Sequence, residues 1–290
     1  MKYKTNKSTS KTSEWTTVLK PNTSWFDINF KEIWPYKDLI KIFVHRDFVV
    51  YYKQTILGPF WFLIKPLLTT FIFTIVFTNI AKIPTDNIPP VLFYLSGTIL
   101  WSYFAECINT TSNTFVINSG LFGKVYFPRI IVPISVVLSN LIRFGIQFVL
   151  FIAVLSFFLM RGYPLTPNIG IIMTPFLLLQ LAALGLGFGM IISSMTTKYR
   201  DMTFLTAFGV QLWMYATPIV YPLSQIPEKW QFFYSLNPIS AIVELFRAAF
   251  LGTTFLQPWH YVLSLSMTFF ILVFGVIIFN KVEKTFMDTV

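Results

Sequence analysis

Residues 171–194 read IIMTPFLLLQLAALGLGFGMIISS, and this stretch decides the fold class. It contains no Asp, Glu, Lys or Arg over 24 residues. A helix of roughly 20 apolar residues is long enough to cross the hydrocarbon core of a bilayer, which is about 30 Å thick. The stretch therefore predicts a membrane-spanning helix.

Three glycines within this stretch, Gly185, Gly187 and Gly189, superficially resemble a dinucleotide-binding fingerprint. That motif requires a strand before it and a helix after it, whereas here the glycines lie inside one apolar helix. Gly185 and Gly189 are four residues apart, the spacing at which small residues let two membrane helices approach closely. We therefore predict that they pack against another helix.

The composition of the whole chain supports the same class. Of its 290 residues, 55% are hydrophobic and only 12% are charged, whereas a soluble domain carries about 25% charged residues. A soluble core cannot bury this much apolar surface, but a bilayer can. The single cysteine, Cys107, excludes an intramolecular disulfide.

Five further segments are long and apolar enough to be spans, so we predict an all-α integral membrane protein with six transmembrane helices. The second span is the least apolar, because Glu106 and several polar residues follow Ala105. The predicted spans lie near residues 58–81, 90–111, 131–158, 169–195, 203–222 and 260–280.

The lysines and arginines between these spans predict the orientation of the chain. Sixteen of them lie in the N-terminal region, in the second-to-third and fourth-to-fifth connections and in the C-terminal tail, whereas four lie in the opposite connections. Because cytoplasmic loops of membrane proteins are enriched in Lys and Arg, both termini are predicted to be cytoplasmic, in a multi-pass protein of the cytoplasmic membrane. The net charge of +10 is then a topology signal and does not indicate nucleic-acid binding.

The two ends of the chain and the segment before the first span are three cytoplasmic regions in this scheme. Residues 1–30 are rich in Lys, Ser and Thr and predict a flexible tail, and residues 281–290 form a second tail. Residues 31–57 contain a basic amphipathic pattern that predicts an N-terminal helix lying in the membrane interface. An ordinary surface helix packed on protein would show the same pattern. The transmembrane domain occupies residues 58–280.

The outer connection between the fifth and sixth spans is unusually apolar. Residues 227–251 predict a hairpin of two short re-entrant helices, because neither is long enough to span the membrane. Pro238 suits a helix start and Gly252 suits a helix end. Glu244 and Arg247 lie three residues apart on one helix face, where they can pair. A structured loop resting on the outer surface is the alternative.

The chemistry of common ATPases and hydrolases is missing from the sequence. The nearest approach to a phosphate-binding loop, GLFGKV at residues 120–125, has the wrong spacing and lacks the hydroxyl residue. His45 and His260 fall on opposite sides of the membrane in this topology and cannot share a metal, so no metal site is predicted. We expect a transport protein without a catalytic centre or a cofactor of its own.

Buried charge and aromatic rings suggest where a substrate could pass. Arg143 lies about 18 Å into the third span at 1.5 Å per residue, so it should face protein or water, with Glu106 as a possible partner. Aromatic rings within the spans could stack on the apolar faces of sugars, although rings at membrane interfaces are also ordinary. The channel candidates are Trp61, Phe62, Tyr94, Trp101, Phe104, Arg143, Trp213 and Tyr215.

A set of short motifs gives the chain a family resemblance. They are RD at 46–47, YK at 52–53, LG at 57–58, Trp61, KVYFPR at 124–129, TPIVYP at 217–222, IP at 226–227, LNP at 236–238, Glu244, Arg247 and LG at 251–252. In this order, over residues 35–280, the chain resembles the permease subunits of type-2 ABC exporters for polysaccharides such as O-antigen, teichoic acid or capsule.

The resemblance implies partners and residue roles. It implies a homodimer of this chain with two copies of a separate nucleotide-binding ATPase subunit, which would hold ATP and magnesium. It also implies that the first and fifth spans line a channel at the dimer interface. The ATPase would contact Arg46, Asp47, Lys53, Lys124, Tyr126 and Arg129. The outer hairpin would form a gate that includes Asn237, Pro238, Glu244 and Arg247.

Together these observations predict outward transport of a lipid-linked polysaccharide, O-antigen or teichoic acid, across the cytoplasmic membrane. A related permease that exports a small lipid or drug is one alternative, and it would need aromatic residues only locally. A membrane-embedded glycosyltransferase or polymerase is the second. It would need carboxylates near the membrane surface for acid–base or metal chemistry, and one of the two acids on the long outer connection, Glu244, already has Arg247 as a partner.

Overall fold

The computed structural model describes residues 33–53, 55–253 and 258–285, and these ranges are helical without any strand. The predicted tail at residues 1–30 and the last residues of the predicted C-terminal tail lie outside them. The helices are α1 (Lys37–Tyr52), α2 (Trp61–Phe73), α3 (Pro90–Thr111), α4 (Thr114–Ile117), α5 (Ser119–Phe122), α6 (Ile131–Met160), α7 (Thr174–Thr196), α8 (Met202–Tyr215), α9 (Glu228–Ser235), α10 (Pro238–Leu251) and α11 (Pro258–Thr285).

Five helical segments of the described chain are long and apolar enough to cross a membrane, so the all-α membrane class is confirmed. They are Gly58–Ile80, Pro90–Thr111, Ile131–Met160, Ile169–Thr196 and Pro258–Glu283. They correspond to the first, second, third, fourth and sixth predicted spans. The first includes a π-helical continuation of α2, Thr74–Ile80, and the fourth begins with a 3-10 turn, Ile169–Met173.

The predicted fifth span differs from these five. It falls on α8, which has 14 residues and therefore covers about 21 Å, less than the roughly 30 Å of a hydrocarbon core. The remaining residues, 216–222, form turns. Since this segment is helical over only part of its length, the count of six spans stays a prediction, as does the re-entrant placement of the outer helices.

Helix α3 lies at the centre of the molecule and contacts α2, α6, α7, α8 and α10. Nearly all of it is buried, including Leu92, Leu95 and Ile99. Its polar residues give this helix the weakest spanning signal in the sequence, and several of them, including Ser96 and Thr98, are buried in the bundle. Helices surrounded by protein tolerate such polar positions, provided that the polar groups find partners there.

Glycines set the closest helix contacts. A Cβ atom on Gly185 would lie 2.7 Å from Cys107 Cβ, and one on Gly189 would lie 2.5 Å from Thr111 Cβ, so both glycines pack on α3 as their spacing predicts. A Cβ atom on Gly275 of α11 would lie 2.5 Å from the carbonyl oxygen of Gly187 on α7. The backbones of α7 and α11 therefore approach each other directly at this point.

A second cluster of apolar side chains joins the ends of α1, α4, α5, α6 and α11. Phe115 and Phe279 stack with ring centroids 4.6 Å apart, and Phe43 and Phe127 meet edge to face at 5.8 Å. In the predicted topology this cluster lies at the cytoplasmic end of the bundle. It fixes the interface helix α1 to the transmembrane helices, together with the connection between α4 and α6 at residues 118–129, which includes α5 and is called the 118–129 loop below.

The contact between α7 and α11 gives a test of the packing. We expect Gly275→Ala to destabilise the protein by about 1–3 kcal/mol, because backbone atoms cannot move aside for the new methyl group. The measurement is thermal unfolding of the purified protein in detergent.

Gly145→Ala is the matched control for this substitution. A Cβ atom on Gly145 would meet nothing within 4 Å, and replacing a helical glycine by alanine stabilises a helix by about 0.5–1 kcal/mol. Equal melting temperatures for the two variants would contradict the close α7–α11 contact.

Candidate functional site

Arg247 on α10 lies at the centre of the outer hairpin region and is fully buried, with 0% exposure. It pairs with Glu244 at 3.2 Å between Nη1 and Oε1, as the three-residue spacing predicts. All of α10 from Pro238 to Leu251 is buried apart from the intermediate Leu245. Helix α10 is therefore part of the core, which differs from the alternative of a loop resting on the surface.

The guanidinium of Arg247 also donates hydrogen bonds to the backbone of two other segments. Nη1 donates to the carbonyl oxygen of Pro218 at 2.6 Å, and Nη2 donates to those of Ile219 at 3.0 Å and Phe93 at 3.2 Å. Nε donates to Ser96 Oγ at 3.3 Å. Arg247 therefore joins α10, α3 and the segment after α8.

This network has a physical cause in the local fold. Residues 216–222 are buried from Thr217 to Val220 but form turns, so their carbonyl groups lack helical partners. Unsatisfied backbone groups are costly in a buried, water-poor environment. Arginine suits this position because its planar guanidinium carries five donors and stays charged.

Asn237 and Pro238, which we predicted to belong to the gate, organise the same junction. The side chain of Asn237 accepts a hydrogen bond from Ile239 N at 3.2 Å and so caps α10, while Pro238 occupies the first turn. The Asn237 amide also donates to Thr217 Oγ1 at 2.9 Å. Gly252 then ends the helix with φ of 78°, a left-handed conformation that glycine adopts readily.

Two contacts of Arg247 could not be recognised in the sequence. Phe93 and Ser96 lie about 150 residues earlier in the chain. They contribute a backbone carbonyl and a hydroxyl group, and no sequence motif marks such groups as partners of a distant arginine. Gly97 is the one signal nearby. A Cβ atom there would lie 3.0 Å from both Arg247 Nη2 and the Ile219 side chain, so glycine leaves room for the guanidinium.

Three of the predicted channel residues pack together in an aromatic cluster, and their predicted role in a channel stays a prediction. The ring of Trp213 on α8 contacts Phe104 at 5.3 Å, Phe188 at 5.1 Å and Trp101 at 6.3 Å between centroids. Trp101 and Phe104 are buried, and Trp213 is partly buried. These rings attach the short helix α8 to α3 and α7.

The remaining predicted aromatic residues fall into two groups. Tyr94 is buried, and its hydroxyl lies 3.1 Å from Thr78 Oγ1 on the π-helical end of the first span. Phe62 is partly buried and stacks on Phe48 at 5.9 Å. Trp61 and Tyr215 are 47% and 46% exposed, so among the seven rings these two offer the most surface to another molecule.

Arg143 pairs with Glu106 of α3, with Nη1 and Oε1 3.3 Å apart, as we expected from its depth in the third span. Its side chain is 9% exposed, while that of Glu106 is 31% exposed. Arg143 also lines a groove that opens beside α1. The pair joins α6 to α3 near the C-terminal end of α3, whereas Arg247 contacts α3 near its N-terminal end.

The residues predicted to contact an ATPase lie on α1 and on the 118–129 loop. Arg46 and Asp47 pair at 2.8 Å, and Lys53 and Lys124 are exposed. Tyr126 is 72% exposed at the tip of the loop.

Arg129, the last predicted ATPase contact, is engaged within the chain. Its backbone N–H donates to Glu283 Oε1 at 3.2 Å, and its guanidinium donates to the Glu283 carbonyl. Partial burial lowers the pKa of the Arg129 guanidinium, while the Glu283 carboxylate opposes this change. Arginine has such a high reference pKa that the group stays charged. The bonds attach the base of the loop to the end of α11.

Over residues 33–53, 55–253 and 258–285, no three His, Cys, Asp or Glu side chains lie close enough together to hold a metal ion. The described site consists of arginine networks and aromatic packing at helix junctions. Such an arrangement defines a polytopic α-helical membrane protein that holds irregular backbone inside the bundle, as transport proteins do.

Comparison with known proteins gives the family. Residues 38–251 match the profile described as ABC-2 type transporter, which covers well over half of the chain. The chain therefore belongs to the ABC-2 type transporter membrane family.

Several curated relatives agree in their names. An O-antigen export system permease, RfbA of Klebsiella pneumoniae, is 29% identical over 87% of this chain and 94% of its own length. The RfbA permease of Myxococcus xanthus is 25% identical over 76% and 83%. The capsule polysaccharide export inner-membrane protein CtrC of Neisseria meningitidis is 23% identical over 82% and 89%. All three are named as components of polysaccharide export.

The Arg247 network predicts unequal effects of removing its two charged members. We expect Arg247→Gln to lower the free energy of unfolding by about 3–5 kcal/mol, because it leaves the buried Glu244 carboxylate unpaired and removes the donors to three carbonyl groups. Glu244→Gln should lower it by less, about 1–3 kcal/mol, because Arg247 still donates hydrogen bonds to those three carbonyl groups. The measurement is thermal unfolding of the purified variants in detergent, and the double variant should cost less than the sum of the two.

Arg161→Gln serves as the control, since Arg161 is an exposed arginine in the connection after α6. A change within about 0.5 kcal/mol is expected there. Equal and additive effects of the Arg247 and Glu244 substitutions would show that the two side chains do not share one network.

Proposed function

We propose that this chain is the membrane-spanning permease subunit of an ATP-driven exporter that moves a lipid-linked polysaccharide of the O-antigen type outward across the cytoplasmic membrane. The observation that carries this proposal is the match to O-antigen export permeases over 87% of the chain. The match extends through the outer hairpin and the Arg247 junction, and it covers nearly the whole length of that relative. A second relative, named for capsule export, supports the wider class of substrate.

The energy for transport comes, in this proposal, from a separate ATPase subunit. The sequence contains no phosphate-binding loop, and the family to which the chain belongs is that of ABC-2 type transporters. ATP and magnesium would therefore bind to the partner and not to this chain. Two copies of the partner would serve a homodimer of the permease.

The exposed tip of the 118–129 loop is the proposed docking point for the ATPase. Lys124, Val125 and Tyr126 are all exposed there, and tyrosine is enriched among the residues that dominate binding at protein interfaces. The loop is attached to α11 through Arg129 and Glu283. A displacement of the loop tip would therefore be transmitted to the transmembrane helices.

The polymer route is proposed to run between two copies of the chain. Helix α8 carries a row of exposed apolar side chains that includes Phe204, Phe208 and Leu212, and α2 carries another that includes Phe71. These two helices belong to the first and fifth predicted spans. Trp61 and Tyr215, the half-exposed rings on them, are the residues that we propose contact the polymer.

The outer hairpin is proposed to gate this route. Helix α9 exposes Trp230, Phe232 and Phe233, while α10 holds the hairpin in the bundle through Arg247. In this proposal α9 is the apolar element that closes the channel at the outer surface of the membrane, and α10 is the fixed element to which it is attached. The polymer would have to displace α9 and leave α10 in place.

Deleting the gene for this chain in its own organism tests the proposal. Surface polysaccharide should be lost, and lipid-linked polymer should accumulate on the cytoplasmic side of the membrane. Restoring the wild-type chain should restore export, and so should Lys41→Gln, a change at an exposed side chain. Normal surface polysaccharide in the deletion strain, with loss of drug or small-lipid export instead, would favour the alternative permease function.

The docking proposal gives a sharper test. Tyr126→Ala should weaken binding of the ATPase subunit by about 2 kcal/mol or more, which is the loss expected for an interface anchor. Lys124→Glu should weaken it further at low salt. The measurement is co-purification of the ATPase with the tagged permease from the same membranes.

Tyr163→Ala is the control because Tyr163 is another tyrosine with an exposed ring, in the connection after α6. That connection lies on the opposite side of the membrane in the predicted topology. If Tyr126→Ala and Tyr163→Ala retain the ATPase equally well, the loop tip is not the docking point.

A further inference from the structure

A groove lies where α1, the end of α3, α4 and α6 meet. It encloses a volume of about 320 Å³, and its lining follows α6 from Val132 to Arg143. That distance is about 16 Å at 1.5 Å per residue. The groove is long enough to hold a single extended chain.

The charged lining of the groove favours a ligand that carries acceptor oxygens. It contains two guanidinium groups, Arg46 from α1 and Arg143 from α6, and one carboxylate, Asp47. Arg143 is buried, with 7% exposure. Guanidinium groups are donors only, and their planar geometry matches phosphate oxygens. Such charge-assisted hydrogen bonds are stronger than neutral ones.

Ser139 provides a second and independent observation. It lines the groove and is 1% exposed, yet its hydroxyl has no hydrogen-bond partner in the described chain. A buried hydroxyl without a partner is unfavourable. A ligand oxygen in the groove would accept its hydrogen bond.

The rim of the groove is apolar. Val50 and Ile117 are each 70% exposed there, and Val136 continues the apolar wall along α6. Since α1 is predicted to lie in the membrane interface, this rim would face the hydrocarbon of the cytoplasmic leaflet. None of the described lining residues is aromatic, so the groove lacks the rings on which a sugar would stack.

We propose that this groove binds the phosphate-bearing headgroup of a membrane lipid. The phosphate lies among Arg46, Arg143 and the Ser139 hydroxyl, and the lipid chain leaves across Val50 and Ile117. The proposal rests on the groove alone and does not require that the exported molecule be a polysaccharide. A phospholipid and a phosphate-linked substrate share the chemistry that this site recognises.

Binding to the purified full-length chain in detergent tests the proposal with three probes. They are phosphatidic acid, the diacylglycerol with the same chains, and inorganic phosphate. Native mass spectrometry counts the bound lipids, and a titration gives the affinity. We expect one saturable site for phosphatidic acid, with the other two probes binding at least about tenfold more weakly, since each lacks half of the recognised molecule.

Arg46→Gln tests the site without disturbing the core, because the Arg46 side chain is partly exposed. It should weaken phosphatidic acid binding by about tenfold, and Ser139→Ala should weaken it severalfold. Arg200→Gln is the matched control, since Arg200 is an exposed arginine on the same predicted side of the membrane, outside the groove. It should bind as the wild type does.

Three results would overturn the proposal. Diacylglycerol that binds as tightly as phosphatidic acid would show that the phosphate is not recognised. Inorganic phosphate that binds as tightly would show a site for a free anion and not for a lipid. Equal loss in Arg46→Gln and Arg200→Gln would show that general surface charge, and not this groove, attracts the lipid.

Discussion

The hydrogen bonds from Arg247 to buried carbonyl groups are the interaction on which the rest of the structure depends. A chain that turns inside an apolar bundle leaves carbonyl groups without helical partners, and neither lipid nor water is there to satisfy them. One guanidinium supplies donors to Pro218 and Ile219 in these turns, and a further donor to Phe93 on α3. Glu244 then balances the buried charge. Without this arginine, the turns after α8 would need a different backbone conformation.

The position of α3 follows from the same constraint. It is the least apolar of the predicted spans, and it supplies Phe93 and Ser96 to Arg247 at one end and Glu106 to Arg143 at the other. A helix that carries partners for two buried arginines cannot face lipid. It lies in the centre, and the more apolar helices surround it. Gly185 and Gly189 let α7 approach α3 closely enough to complete this arrangement.

Features that depend on residues close together in the chain could be predicted from the sequence. Apolar run length identified five of the six predicted spans as long helices, and spacing along one helix identified the pair Glu244–Arg247. The depth of a charged residue in a span identified Arg143 and its partner Glu106. These inferences need only the rise of a helix and the cost of an unpaired charge in an apolar environment.

The features that sequence reasoning missed depend on contacts between distant segments. Nothing about Phe93 marks its carbonyl group as an acceptor for Arg247, 154 residues later. Trp101, Phe104 and Trp213 were predicted to line a channel, and they pack on one another, because an aromatic residue in a span looks the same whether it faces a pore or a neighbouring helix. Their roles in transport stay predictions.

The two arginine sites are mechanically linked through α3. Ser96 and Glu106 lie ten residues apart on this one helix, which separates them by about 15 Å. Because the helix is continuous from Pro90 to Thr111, a shift along its axis changes the distances at both arginines together. A movement of α3 along its axis would therefore disturb the hydrogen bonds at Arg247 and the ion pair at Arg143 at the same time, unless the helix bends between them.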